Sequence, residues 1–170
     1  EGRGNPQLVR QLVEKSEDAH QWLSSLGLVW TPQSYQTLAG LTSRSFIPSL
    51  VRAGYDYIVT LNKAARMHGV TTLLNAEANL LYVTPQGAIS GIRARVNGVE
   101  KMFTAKAIVL ATGGFGGNVA MREHYDPRLD ATFTTTADPY REGADPATGD
   151  GIVLAQKLGA DLVDMDCIQI

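Results

Sequence analysis

Thr104-Ala105-Lys106-Ala107-Ile108-Val109-Leu110-Ala111-Thr112-Gly113-Gly114-Phe115-Gly116 is the stretch on which the fold turns. Its apolar run, Ala107-Ile108-Val109-Leu110, reads as a short buried strand. The run ends in Ala-Thr-Gly, and small residues at the C-terminal end of a strand let the backbone approach a flat or anionic ligand closely. In a parallel sheet that edge is where cofactors sit. A buried strand ending in an ordinary glycine turn fits the same residues, so both readings stay open here.

Upstream of this stretch the pattern is β. Val70 to Val83 reads as a strand or two, Pro85-Gln86-Gly87 as a turn, and Ile89 to Val96 as the next strand. Asn97-Gly98 is the strongest hairpin signal in the chain, because both turn residues tolerate positive φ. Lys101 to Thr104 is the returning strand. Further upstream the pattern is helical. Asn5-Pro6 is a helix start, since Asn caps free N–H groups and Pro suits the first turn. Leu8, Leu12, Ala19, Leu23 and Leu26 recur at helical spacing, and Gly27 ends the run as a left-handed cap. A loop follows from Thr31 to Ser45. A second helix carries Leu50, Tyr57, Ile58, Leu61, Ala64 and Ala65 and stops at Gly69.

Downstream, glycines and turn residues dominate up to Ala147-Thr148-Gly149-Asp150-Gly151-Ile152. There a helix begins, with Asp150 as its expected N-cap, and it runs to Gly159. A glycine-rich turn opening a helix presents free N–H groups to an anion. The last stretch alternates, Val163, Met165 and Cys167 against Asp164, Asp166 and Ile168, which predicts a strand with Cys167 buried. The fold class is therefore α/β with α+β character.

Composition narrows the function. The chain has 170 residues, 44% hydrophobic and 19% charged, which suits a globular core. Its 15 basic and 17 acidic residues give a net charge of −2, which speaks against nucleic acid as a partner. One cysteine, Cys167, excludes an internal disulfide or a multi-cysteine metal site. His20, His68 and His124 show no ligand spacing. No signal peptide is recognisable, and the longest apolar stretch, Ala107 to Ala111, is far too short to span a bilayer. The chain is expected to be soluble, in the cytoplasm or periplasm of a bacterium.

Four motifs in order carry a family resemblance: Thr-Gly-Gly-Phe-Gly-Gly-Asn at 112–118, Thr-Gly-Asp-Gly-Ile at 148–152, Ala-Gln-Lys-Leu-Gly-Ala at 155–160 and Asp-Met-Asp-Cys-Ile-Gln at 164–169. Together they resemble the FAD-dependent fumarate reductase and succinate dehydrogenase flavoproteins, nearest the soluble flavocytochrome c-type fumarate reductases and urocanate reductases. The segment Asn75-Ala76-Glu77-Ala78 resembles the family's strand beside the adenosine end of FAD. The helix from Asn5 to Gly27 resembles the opening of its capping domain.

The resemblance implies a partial Rossmann-like FAD-binding domain with a β-meander over 70–170, and a helical part of a capping domain over 1–69. It implies FAD as cofactor and hydride transfer between flavin and the α,β C=C bond of a small carboxylic acid. By matching positions, Ala78 and Asp150 would contact FAD, with Thr112, Gly113, Gly114 and Gly149 lining its pocket. No G-x-G-x-x-G occurs near the start, and the family's His-Pro-Thr and catalytic arginines would follow Ile170. The chain is thus expected to be an internal fragment whose partner is the remainder of the parent flavoprotein, inactive alone, with no catalytic residue of its own. Arg44-Ser45-Phe46-Ile47-Pro48 stands where the family often has a substrate-facing His. Other enzymes on the scaffold, 3-ketosteroid dehydrogenases or aspartate oxidases, are the alternative. Uncovered strand edges would favour a homodimer of the fragment.

The remaining polar residues have plainer readings. Asp161, Asp164 and Asp166 are expected on a solvated strand face, with no metal. Asp126, Asp130, Asp138 and Asp145 are expected to form turns. Arg122, His124 and Tyr125 are expected on a surface helix, and Ser43-Arg44-Ser45 is a candidate contact for an anionic substrate.

Overall fold

The computed structural model describes residues 4–34, 43, 45–48, 53–133 and 147–168. The chain divides into two compact units, 1–72 and 73–170.

The first unit holds helices α1 (Pro6–Ser25) and α2 (Ala53–Met67). Asn5 caps α1, its side chain accepting the Gln7 N–H at 2.9 Å, with Pro6 in the first turn. Gly27, at φ 96°, turns the chain out of the helix, and the Leu28 N–H closes on the Leu23 carbonyl. α2 ends at Gly69, at φ 71°. No residue of α1 is buried. The unit is gathered instead around the loop that follows. Leu28 is buried, Pro48 is fully buried, and Trp30 bridges to Pro48 as an isolated antiparallel pair. The His20 imidazole stacks on Trp30 at 4.5 Å and meets Phe46 at 5.1 Å, while Tyr57 of α2 meets Trp30 edge-on at 5.8 Å. Of the expected anion contact Ser43-Arg44-Ser45, Arg44 lies outside the described residues, as does Leu50 of the second helix.

The second unit is built on an antiparallel meander, β1 (Ala76–Val83), β2 (Ile89–Val96) and β3 (Val99–Thr104), in the order β1-β2-β3. β1 starts only after Asn75, whose φ of 49° interrupts the extended backbone, so the strand is shorter than the apolar run from Val70. Asn97 (φ 50°) and Gly98 (φ 82°) make the two-residue turn between β2 and β3. β1 bulges between Ala78 and Leu80. The extra residue, Asn79, donates from its amide to Glu100 on β3 at 3.1 Å and accepts from Arg93 on β2 at 2.9 Å, so the bulge ties three strands together. Leu81, Ala94 and Val96 form the buried face, and α4 (Asp150–Gln156) packs on β1 with Leu154 buried. α3 (Val119–Tyr125) lies between sheet and α4 in sequence.

Two expected strands do not form. Ala107 to Leu110 has no strand partner among the described residues, and Val109 is 87% exposed. β3 leaves the ladder after Thr104, with a last bond from Ala105 N–H to the Ser90 carbonyl, and no described segment then offers its edge. The alternating stretch Val163 to Ile168 is a turn: Asp164 takes φ 52° and the Cys167 N–H bonds back to the Asp164 carbonyl. Cys167 is exposed, not buried.

Candidate functional site

The two glycine-rich motifs lock onto each other. The Gly117 N–H donates to the Ala147 carbonyl at 2.9 Å, and the Gly149 N–H donates to the Gly114 carbonyl at 3.1 Å. The Asn118 side chain donates to the Thr148 carbonyl at 2.9 Å and accepts the Met121 N–H at 3.0 Å as N-cap of α3. The glycines in this clasp are needed for close packing. A β-carbon at Gly149 would lie 2.7 Å from Met121 Sδ and 2.9 Å from Phe115 Cβ. One at Gly151 would run into Thr112 Oγ1 and lie 3.0 Å from Thr112 Cβ.

Gly113 and Gly114 differ in kind. Both are exposed, and a β-carbon at either meets nothing within 4 Å among the described residues. Gly113 takes φ 76°, which favours glycine. The backbone of Gly113 and Gly114 is therefore an open surface without side chains, beside Thr112, whose own side chain packs against Gly151, and it leaves room for a flat ligand laid against the main chain. Asp150 is exposed at the first position of α4. It is not the N-cap: Gly149 holds that place at φ 82° and no side chain caps the helix, because the left-handed turn puts Asp150 one residue inside. Ala78 is half-buried on β1, paired with Ala94 directly before the bulge. The structure thus brings Thr112, Gly113, Gly114, Gly149 and Asp150 into one clasp and places Ala78 in the adjoining sheet.

α3 is a surface helix at His124, which is exposed, but Arg122 departs from that reading and Tyr125 is half-buried. The relative exposure of Arg122 is 0%, the lowest of any charged residue described. Nη2 donates to the carbonyls of Asp130 at 3.0 Å and Phe133 at 3.3 Å, while Nε and Nη1 have no hydrogen-bond partner among the described residues. The guanidinium thus pins the turns after α3 from inside. The spacing of a seven-residue helix carries no signal for such a burial.

Those turns are built by acidic residues. The Arg128 side chain donates to both Asp126 carboxylate oxygens, at 2.8 and 2.7 Å, and its backbone N–H adds a third bond, together holding the Asp126 carboxyl below its ordinary range. The Thr132 hydroxyl and then its N–H act on Asp130 in the same direction. Asp138 and Asp145 lie outside the described residues. The ligand atoms of Asp164, Asp166 and Cys167 lie within 4.8 Å of one another, all exposed, on the turn that replaces the expected strand face. An apolar cavity of about 340 Å³ between the sheet and α4 is lined by Leu81, Ile89, Ile108, Leu110, Ala155 and Leu158.

No helix among the described residues is long and apolar enough to cross a membrane. The family model described as FAD binding domain matches residues 1–170. The chain is 36% identical over 173 residues to a urocanate reductase from Eggerthella lenta, covering 98% of this chain and 27% of that protein. It is 34% identical over 165 residues to a probable fumarate reductase from Shewanella frigidimarina, covering 95% of this chain and 26% of that one. Among solved structures, the open conformation of a flavocytochrome c3 fumarate reductase superposes with a TM-score of 0.80 at 32% identity, over 92% of this chain and 27% of that one. The chain spans about a quarter of the length of these relatives.

Proposed function

The chain belongs to the FAD binding domain family, and from that premise we propose that it forms part of a flavin-dependent oxidoreductase acting on the α,β carbon–carbon bond of a small carboxylic acid. The observation that carries this is the open Thr112–Gly114 backbone at the clasp, in a chain whose relatives are named for urocanate and fumarate, both α,β-unsaturated acids. FAD, when bound, supplies hydride to or from that bond.

The residues of this chain bind and orient. Gly113 and Gly114 offer main chain at van der Waals range to the cofactor, where a side chain would intervene, and Thr112 lines the same pocket with its own side chain turned against Gly151. Gly149 acts through its left-handed turn, and Asp150 contacts the cofactor from its exposed place at the start of α4. Ala78 offers the backbone of β1, and its methyl group leaves room for close approach. Residues 70–170 belong to the cofactor-binding part and residues 1–69 to a cap over the substrate. The proton that accompanies hydride comes from a residue outside this stretch, so residues 1–170 alone hold cofactor without turning over.

Titration with FAD, read by flavin absorbance and fluorescence quenching, tests the binding. Saturation is expected, with weaker affinity in Asp150→Ala. In the intact protein, anaerobically reduced flavin is expected to be reoxidised by fumarate or urocanate. Reoxidation by neither acid would refute the substrate class, and absence of saturable FAD binding would refute the site.

A further inference from the structure

We infer that Asn118 is the positioning residue of the cofactor site, a single amide that fixes the open Gly113-Gly114 backbone against the turn carrying Asp150; this rests on the FAD reading above. Its two polar atoms do different jobs. Oδ1 accepts the Met121 N–H and so caps α3. Nδ2 donates to the Thr148 carbonyl, thirty residues away in sequence, in a half-buried setting.

The orientation of the amide is determined by these partners. A flipped amide would set oxygen against the Thr148 carbonyl and NH2 against the Met121 N–H, two repulsive contacts in place of two bonds. Either side of this bond lies a main-chain bond between the same two segments, Gly117 to Ala147 and Gly149 to Gly114. Asn118 therefore completes a row of three links. The last of them ends on the carbonyl of Gly114, a residue of the surface that faces the cofactor.

The position demands an acceptor and a donor on two separate atoms of one short side chain, which Asn supplies. Asp caps a helix as well as Asn does, but it turns a carboxylate oxygen toward the Thr148 carbonyl. Ser also caps, but its hydroxyl is too short to reach across. Substitution by either separates the clasp from the cap.

Amide hydrogen exchange and FAD affinity in the intact protein test the inference with N118D, N118S and a control, V96A. Val96 is buried in the sheet, beside the β2–β3 turn, and makes none of the clasp bonds named above. Wild type, N118D and N118S are expected to share the same helical circular dichroism. Exchange of the Gly117 and Gly149 amides is expected to speed up roughly tenfold in both Asn118 variants, the loss of one buried neutral hydrogen bond. The FAD dissociation constant is expected to rise by a similar factor. V96A is expected to lower Tm without selectively deprotecting Gly117 and Gly149. Unchanged exchange at the two glycines in N118D would overturn the clasp role. Faster exchange with unchanged FAD affinity would overturn the positioning role. Failure of the wild-type protein to bind FAD would overturn the cofactor reading itself, and this inference with it.

Discussion

Gly151 sits on the first turn of α4, where alanine would ordinarily favour the helix. Here Thr112 fills the space that a β-carbon needs. Gly151→Ala is therefore expected to destabilise the chain by about 1–3 kcal/mol, the usual cost of overpacking. Thr112→Ala in the same chain should recover most of that loss, and a double-mutant cycle on thermal unfolding reads the coupling. Arg122 poses a second residue-scale question. Its guanidinium is wholly buried with two of its nitrogens unmet among the described residues, so the charge itself is a burden. Arg122→Met keeps much of the volume and removes the charge; it is expected to stay within about 1 kcal/mol of the wild type. Arg122→Ala leaves a cavity and should cost about 2–4 kcal/mol. Thermal denaturation of the two variants side by side distinguishes packing from charge. Asp126 makes a prediction in pH. Its folded carboxyl is held below the ordinary value by Arg128, so the stabilisation is present above the unfolded carboxyl's pKa and is lost as pH falls through the folded one. Asp126→Asn should be the less stable protein near neutrality, and the difference should close in acid, as urea midpoints taken down the pH scale will show.

Elements were legible where local chemistry decides them. Asn5-Pro6 and Gly27 bound α1, and Gly69 ends the second helix, because caps and left-handed turns are properties of one or two residues. Asn97-Gly98 placed the β2–β3 turn for the same reason. Asn97→Ala removes a residue suited to positive φ, and it is expected to cost the sheet about 1 kcal/mol in chemical denaturation, while leaving the register of β1 on β2 intact. Strands without a visible partner were read less well. Ala107-Ile108-Val109-Leu110 has the composition of a buried strand, but composition says nothing of which segment supplies the neighbouring edge. Alternation at 163–168 misled because Asp164 takes a left-handed conformation, which a period-two pattern does not encode. The turn at Gly113 and Gly114 was legible from residue type, and Gly113 takes φ 76°. The clasp was not, since the bond from Asn118 to Thr148 joins segments far apart in sequence.

At the scale of the whole molecule, apolar surface is the prominent feature. Leu8, Leu12 and Val13 on α1 and Val109 beyond the sheet are each more than three-fifths exposed. Surface of this kind promotes association when it stays uncovered. Residues 1–170 produced alone are expected to self-associate with rising concentration, and Val109→Lys should reduce that tendency; light scattering across a dilution series reads both. A monodisperse monomer throughout would count against it.

The aromatic group around Trp30 has an optical consequence. The chain has two tryptophans, Trp22 and Trp30, and both fall within residues 1–72, with Trp30 stacked on His20 and met edge-on by Tyr57. Emission excited at the red edge of the protein band therefore arises from the first unit alone, while residues 73–170 are dark. One half of the molecule can be watched as it melts, in the indole signal, without a contribution from the other.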